Sequence, residues 1–109
     1  MILELATLTI VPGRSAEFEQ AFEQAQSIIA AMPGYRGHEL QRCLEIADRY
    51  ILLVRWERLE DHTIGFRQSA EYGRWRALLH HFYDPFPTVE HYVTVLPRPE
   101  QPTVTPQSP

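Results

Sequence analysis

Five histidines, ten arginines that are its only basic residues besides histidine, a single cysteine and no asparagine set out the chemistry open to this chain. Imidazole titrates near neutrality, so each histidine is a candidate general base or acid. His80 and His81 close a segment with helical patterning, just before Tyr83 and Asp84. There they either place positive charge against the helix dipole, or one of them points into a pocket as a base. Adjacent helical residues diverge by about 100°, so at most one of the two can do this. His62 follows Glu60 and Asp61 and is either solvated beside them or set at a pocket mouth. His91 alternates with Val89, Val93 and Val95, which places it on an enclosed strand face; His38 alternates with Arg36, Leu40 and Arg42 and is expected to touch solvent. No two histidines have the i, i+2 spacing of strand ligands or the i, i+3 or i+4 spacing of helical ones, so no metal site is expected. Cys43 lies in a strand-like run and reads as a packing residue rather than a nucleophile. The glycines at 13, 34, 37, 65 and 73 are scattered at turns, and none builds a phosphate-cradling loop for a nucleotide or flavin.

These side chains must be positioned by one small domain, since 109 residues is within the range of a single folding unit. The chain is 44% hydrophobic and 22% charged, an ordinary globular mixture. A net charge of −4 leaves no basic footprint for nucleic acid or anionic lipid. No apolar run approaches the ~20 residues of a membrane span. The start, Met1-Ile2-Leu3-Glu4-Leu5, lacks a basic leader segment, and one cysteine fits a reducing compartment, so a cytoplasmic location is expected.

Residues 2–11 are rich in apolar and β-branched types and stop at Pro12-Gly13, as a first strand would. Ser15 is placed to cap a helix whose apolar stripe is Phe18, Phe22, Ala25, Ile29 and Met32, ended by Pro33-Gly34. Tyr35–Leu44 and Tyr50–Trp56 follow as strands, then a short helix around Leu59–Phe66 broken near Gly65. Ser69 caps a second helix with Tyr72, Trp75, Leu79 and Phe82 on one stripe. Asp84-Pro85-Phe86-Pro87 is a stiff connector into a last strand, Val89–Leu96. Residues 1–96 therefore form the domain; residues 97–109 hold five of the nine prolines and are expected to be a disordered tail. The order β-α-β-β-α-β predicts an α+β, ferredoxin-like sheet. Two helices cover one face of such a sheet, yet Ile51–Val54 is apolar on both faces, so a second copy of the chain is expected to cover the other.

The run Tyr50-Ile-Leu-Leu-Val-Arg-Trp-Glu57, the helical His62, the Ser69-Ala-Glu-Tyr72 helix start and the closing strand resemble the antibiotic biosynthesis monooxygenase (ABM) domain over about residues 2–96. The resemblance implies a dimeric α+β barrel with a pocket in each subunit between sheet and helices. Its members include cofactor-free oxygenases of quinols and polycyclic aromatics, haem-degrading enzymes and proteins with no established activity. The triad of the haem-degrading branch falls on Ala6, Phe66 and the neighbourhood of Trp75-Arg76, none of which matches it. The implied reaction is therefore cofactor-independent oxygenation of a small aromatic or quinol-like molecule. His80 or His62 would serve as base, and Arg55 or Arg76 would steady the developing anion. Trp56, Phe66, Tyr72, Trp75 and Tyr83 would form the substrate wall. The alternative is a non-enzymatic dimer that binds a small hydrophobic ligand, in stress response or as a pathway accessory.

Overall fold

The computed structural model describes residues 1–97, which fold as four antiparallel strands under two helices. Strand β1 is Ile2–Thr9, helix α1 Ser15–Ala30, β2 Tyr35–Arg42, β3 Arg49–Trp56, α2 Ala70–Leu79 and β4 Thr88–Tyr92. The sheet order β2-β3-β1-β4 puts the apolar strands β3 and β1 in the centre and the more polar β2 and β4 at the edges. This is the expected ferredoxin-like topology. The proposed tail, apart from Pro97, lies outside the described residues.

Strand alternation sorts the sheet into two faces. On the helix side lie Ala6, Leu8, Tyr50, Leu52, Val54 and Trp56, all buried. Helix α1 lays Phe18, Phe22, Ala25, Ile28 and Ile29 on them, each large side chain contributing about 1.5–3 kcal/mol of burial. Ser15 does not cap α1. It is the first helical residue, and its hydroxyl donates instead to Asp48 Oδ1 at 2.6 Å, tying the helix start to the β2–β3 turn. Ser69 does cap α2, its Oγ accepting from the Tyr72 N–H at 3.2 Å.

Two further expectations are corrected. The last strand stops at Tyr92 rather than Leu96, because its ladder partner runs out: Tyr92 already pairs with Leu3 at the beginning of β1. Val93, Val95 and Leu96 are consequently exposed. His38 is half-buried against α1 rather than solvated, its Nε2 bonded to Gln26 Oε1 at 2.9 Å and its Nδ1 to the Tyr35 hydroxyl. A β-bulge between Tyr35 and Gly37 resets the alternation there and turns His38 inward.

Candidate functional site

Between β3 and α2 the chain forms neither plain loop nor α-helix. Residues Asp61–Phe66 make a π-helical turn, in which the Arg67 N–H donates to the carbonyl of His62, five residues back, at 3.1 Å. Asp61 secures its start by accepting the Arg58 N–H at 3.0 Å. Gly34 lets this turn close on the sheet. Its φ is +84°, and a Cβ there would collide with the Asp61 side chain. The wide turn sends both His62 and Phe66 inward, where they are 3% and 1% exposed.

Beneath this turn, α2 and the short 3₁₀ turn His80–Phe82, a cavity of about 300 Å³ opens above β1 and β3. Its floor is Glu4, Ala6, Leu8 and Leu52, and its wall includes Phe66, Tyr72 and Trp75. The connector after the 3₁₀ turn closes one side with Tyr83, Phe86 and Pro87. Of the residues singled out by sequence, His62, Phe66, Tyr72, Trp75, His80 and Tyr83 meet at this one cavity. His80 enters and His81 is exposed, as the divergence of neighbouring helical residues requires.

Three do not line it. Arg55 is exposed on the opposite face of the sheet, beside Leu3 and Gly37, because strand alternation points it away from the helices. Arg76 is exposed on α2 outside the cavity, its charge still acting on His80. Trp56 is wholly buried behind the lining, stacked on the His62 ring at 5.6 Å between centroids. Its indole N–H donates to Glu4 Oε1 at 2.9 Å.

Glu4 and Arg67 are the polar lining residues that sequence reasoning missed. A signal for Glu4 existed: it shares strand parity with Leu8 and Ile10, so a carboxylate stands among core positions. For Arg67 there was none, since its direction depends on the π-helical geometry.

The electrostatics follow from burial and from the charges of Arg67 and Arg76. Glu4 is 5% exposed, and burial pushes its carboxyl upward against the pull of the Trp56 hydrogen bond and the Arg67 charge. Burial, then Arg67, then His91 push His62 down to about 3. His80 and His91 are lowered by burial and by Arg67, with Arg76 also acting on His80. Burial raises the Tyr83 phenol, which stays a hydrogen-bond donor. His62 Nε2 stands 3.4 Å from Glu4 Oε1, and its Nδ1 is bonded to His91 Nε2 at 2.8 Å. His80 forms no side-chain hydrogen bond among the described residues and is ringed by Tyr72, Tyr83 and Phe86 at centroid distances of 5.9, 5.6 and 5.2 Å. The cavity thus offers an aromatic surface, one unengaged neutral imidazole, a buried carboxyl and a guanidinium.

Comparison with known proteins places this arrangement. The chain is 57% identical over 95 residues to the uncharacterized protein YczJ of Bacillus subtilis (strain 168), covering 87% of this chain and all of that one. A candidate antibiotic biosynthesis monooxygenase from Bordetella bronchiseptica has the same fold at a TM-score of 0.84 and 38% identity, over 87% of this chain and 97% of its own. SnoaB, a cofactor-independent oxygenase from Streptomyces nogalater, shares the fold at a TM-score of 0.69 with 22% identity, over 91% of this chain and 97% of its own. The model of the antibiotic biosynthesis monooxygenase family matches residues 1–78, which hold β1 through most of α2 and so most of the cavity wall, and the chain belongs to that family.

Proposed function

We propose that this protein is a cofactor-independent monooxygenase acting on a small aromatic or quinol-like molecule held in the cavity between sheet and helices. The observation that carries this reading is the pairing of an aromatic wall with the free imidazole of His80 in a space of about 300 Å³. That volume lies at the small end of ligand sites and suits a compact ring system. The imidazole of His80, held neutral by its surroundings, takes a proton from the substrate. The resulting electron-rich anion reduces dioxygen, with one oxygen atom entering the product and the other leaving as water. Arg67, at the cavity rim, takes the part of anion stabiliser, in place of Arg55 and Arg76. That SnoaB is a cofactor-independent oxygenase on this fold supports the assignment.

The same reading has the protein working as a homodimer in the cytoplasm. Leu3, Leu5, Ile51 and Leu53 line the sheet face that neither helix of the described residues covers, and a second copy would bury them.

Oxygen uptake with a panel of hydroquinones and anthrones, on protein free of metal and flavin, tests the reading. Turnover is expected without additives, and His80→Ala should lower it by about 10²- to 10⁴-fold while the fold persists. Turnover appearing only after haem or flavin is supplied would overturn the cofactor-free assignment. If no panel member reacts and His80→Ala leaves ligand affinity unchanged, the cavity is a binding site for a small hydrophobic molecule rather than a catalytic one.

A further inference from the structure

His62 and His91 are not needed for the proton abstraction assigned to His80, yet they are joined to Glu4 in a continuous line. Glu4 and His91 are cross-strand partners of β1 and β4, and the π-helical turn lowers His62 between their side chains. The line runs from Trp56 Nε1 to Glu4 Oε1 at 2.9 Å, from Glu4 Oε1 to His62 Nε2 at 3.4 Å, and from His62 Nδ1 to His91 Nε2 at 2.8 Å. Its inner end is on the cavity floor. Its outer end is a partly exposed histidine on an edge strand. We propose that Glu4, His62 and His91 form a proton relay linking the cavity floor to the sheet edge, with Glu4 as the inner terminus.

Two protonation patterns fit this line, the 3.4 Å approach of His62 Nε2 to Glu4 Oε1 being an ion-pair distance that shortens to a hydrogen bond when a proton passes. With Glu4 ionised, His62 donates from Nε2 to the carboxylate and His91 donates from Nε2 to His62 Nδ1, leaving His91 Nδ1 as an open acceptor. With Glu4 protonated, every bond reverses: the carboxyl donates to His62 Nε2, His62 Nδ1–H donates to His91 Nε2, and His91 keeps its proton on Nδ1. A proton gained at His91 Nδ1 converts the first pattern into the second. Each ring accepts on one nitrogen and releases from the other, so the net change is one proton on Glu4. The Trp56 N–H holds Oε1 in both patterns. Among the described residues no three such side chains converge as metal donors, and these three stand in file.

The groups facing the line are Arg67 from the exit of the π-helical turn, Tyr83 from the connector, and Tyr72 and His80 from across the cavity. Arg67 disfavours a lasting imidazolium on His62 and His91, so the proton comes to rest on the carboxyl. Glu4 titrates above its ordinary 4.5 and His62 near 3, which separates the two events. This inference goes beyond the oxygenase reading and does not depend on it, since the relay can be followed without any substrate.

The test is NMR of the full chain, with ¹⁵N in the histidine rings and ¹³C in the glutamate carboxyls, titrated from acid to mildly alkaline pH. As the Glu4 carboxyl protonates, the His62 and His91 protons are expected to shift together from Nε2 to Nδ1, with neither ring passing through a populated imidazolium. Glu4→Gln keeps a carbonyl acceptor for Trp56 and His62, and should hold His62 in the Nε2–H form throughout. A merely structural trio would show fixed tautomers. The relay is overturned if His62 keeps one tautomer while Glu4 titrates, if the exchange persists in Glu4→Gln, or if His62 becomes cationic over the same range. The wild-type titration decides the matter alone should Glu4→Gln fail to fold.

Discussion

His62 makes the stability of the fold depend on pH. Its imidazole is 3% exposed beside Arg67, and its pKa falls from 6.5 to about 3. The sign follows from linkage: between those values the unfolded chain binds the proton and the folded chain does not, so acid favours unfolding. Its contribution is complete above about pH 6.5 and is withdrawn at up to about 1.4 kcal/mol per pH unit as pH falls toward 3. Glu4, with its pKa raised, acts in the opposite sense above 4.5, favouring the folded state less as pH rises. Urea midpoints measured across this range should therefore decline in acid, and His62→Gln should flatten the decline. A His62→Gln profile as steep as that of the unaltered protein would remove His62 as the cause. These residues also show what was legible beforehand. Alternation placed His91 on the helix side of β4, where it is half-buried rather than enclosed, and the same rule applied to Glu4 reveals a carboxylate in the core. Arg55 has the charge an anion stabiliser needs, but its parity with Ile51 and Leu53 puts it on the other side of the sheet.

At the level of elements, the strands and helices were readable because their apolar periods agree with the turns that bound them. The Phe18–Ile29 stripe and the Ser69 cap appear where pattern and chemistry concur. The end of β4 was not readable, since it depends on the length of β1 rather than on its own alternating valines. Nor was the π-helical turn, whose five-residue bond has no compositional signature separate from a short α-helix. Its dependence on Gly34 makes it testable. Gly34→Ala meets a backbone that L-residues avoid and the Asp61 side chain together, so a loss of about 1–3 kcal/mol is expected. The change should be accompanied by altered His62 ring resonances, because Asp61 begins the turn that carries it. A stability equal to that of the unaltered protein would mean that the turn and the β2 entry are independent.

For the whole molecule, the two sheet faces pose different demands. One is filled by helices and holds the cavity; the other presents Leu3, Leu5, Ile51 and Leu53, with Leu5 and Leu53 directly paired. The homodimer proposed across this face would have to bury the ~1,200–2,000 Å² of a stable interface. Leu53→Glu is therefore expected to halve the mass seen by sedimentation while leaving the helix-side core intact, since Leu53 faces away from it. A 12.7 kDa species for the unaltered protein at micromolar concentration would sink the dimer. The helix side carries a constraint of another kind. The π-helical turn holds one residue more than an α-helical turn spanning the same gap. Its essential property is thus a count rather than a choice of letters. Substitutions within Asp61–Phe66 alter one side chain at a time, whereas deleting a single residue there would rotate everything on one side of the gap by about 100° relative to the other. A deletion between His62 and Phe66 would thus break the alignment that turns both inward. Among diverging relatives of this chain, insertions and deletions in that segment would mark a lost site as surely as the loss of a lining residue.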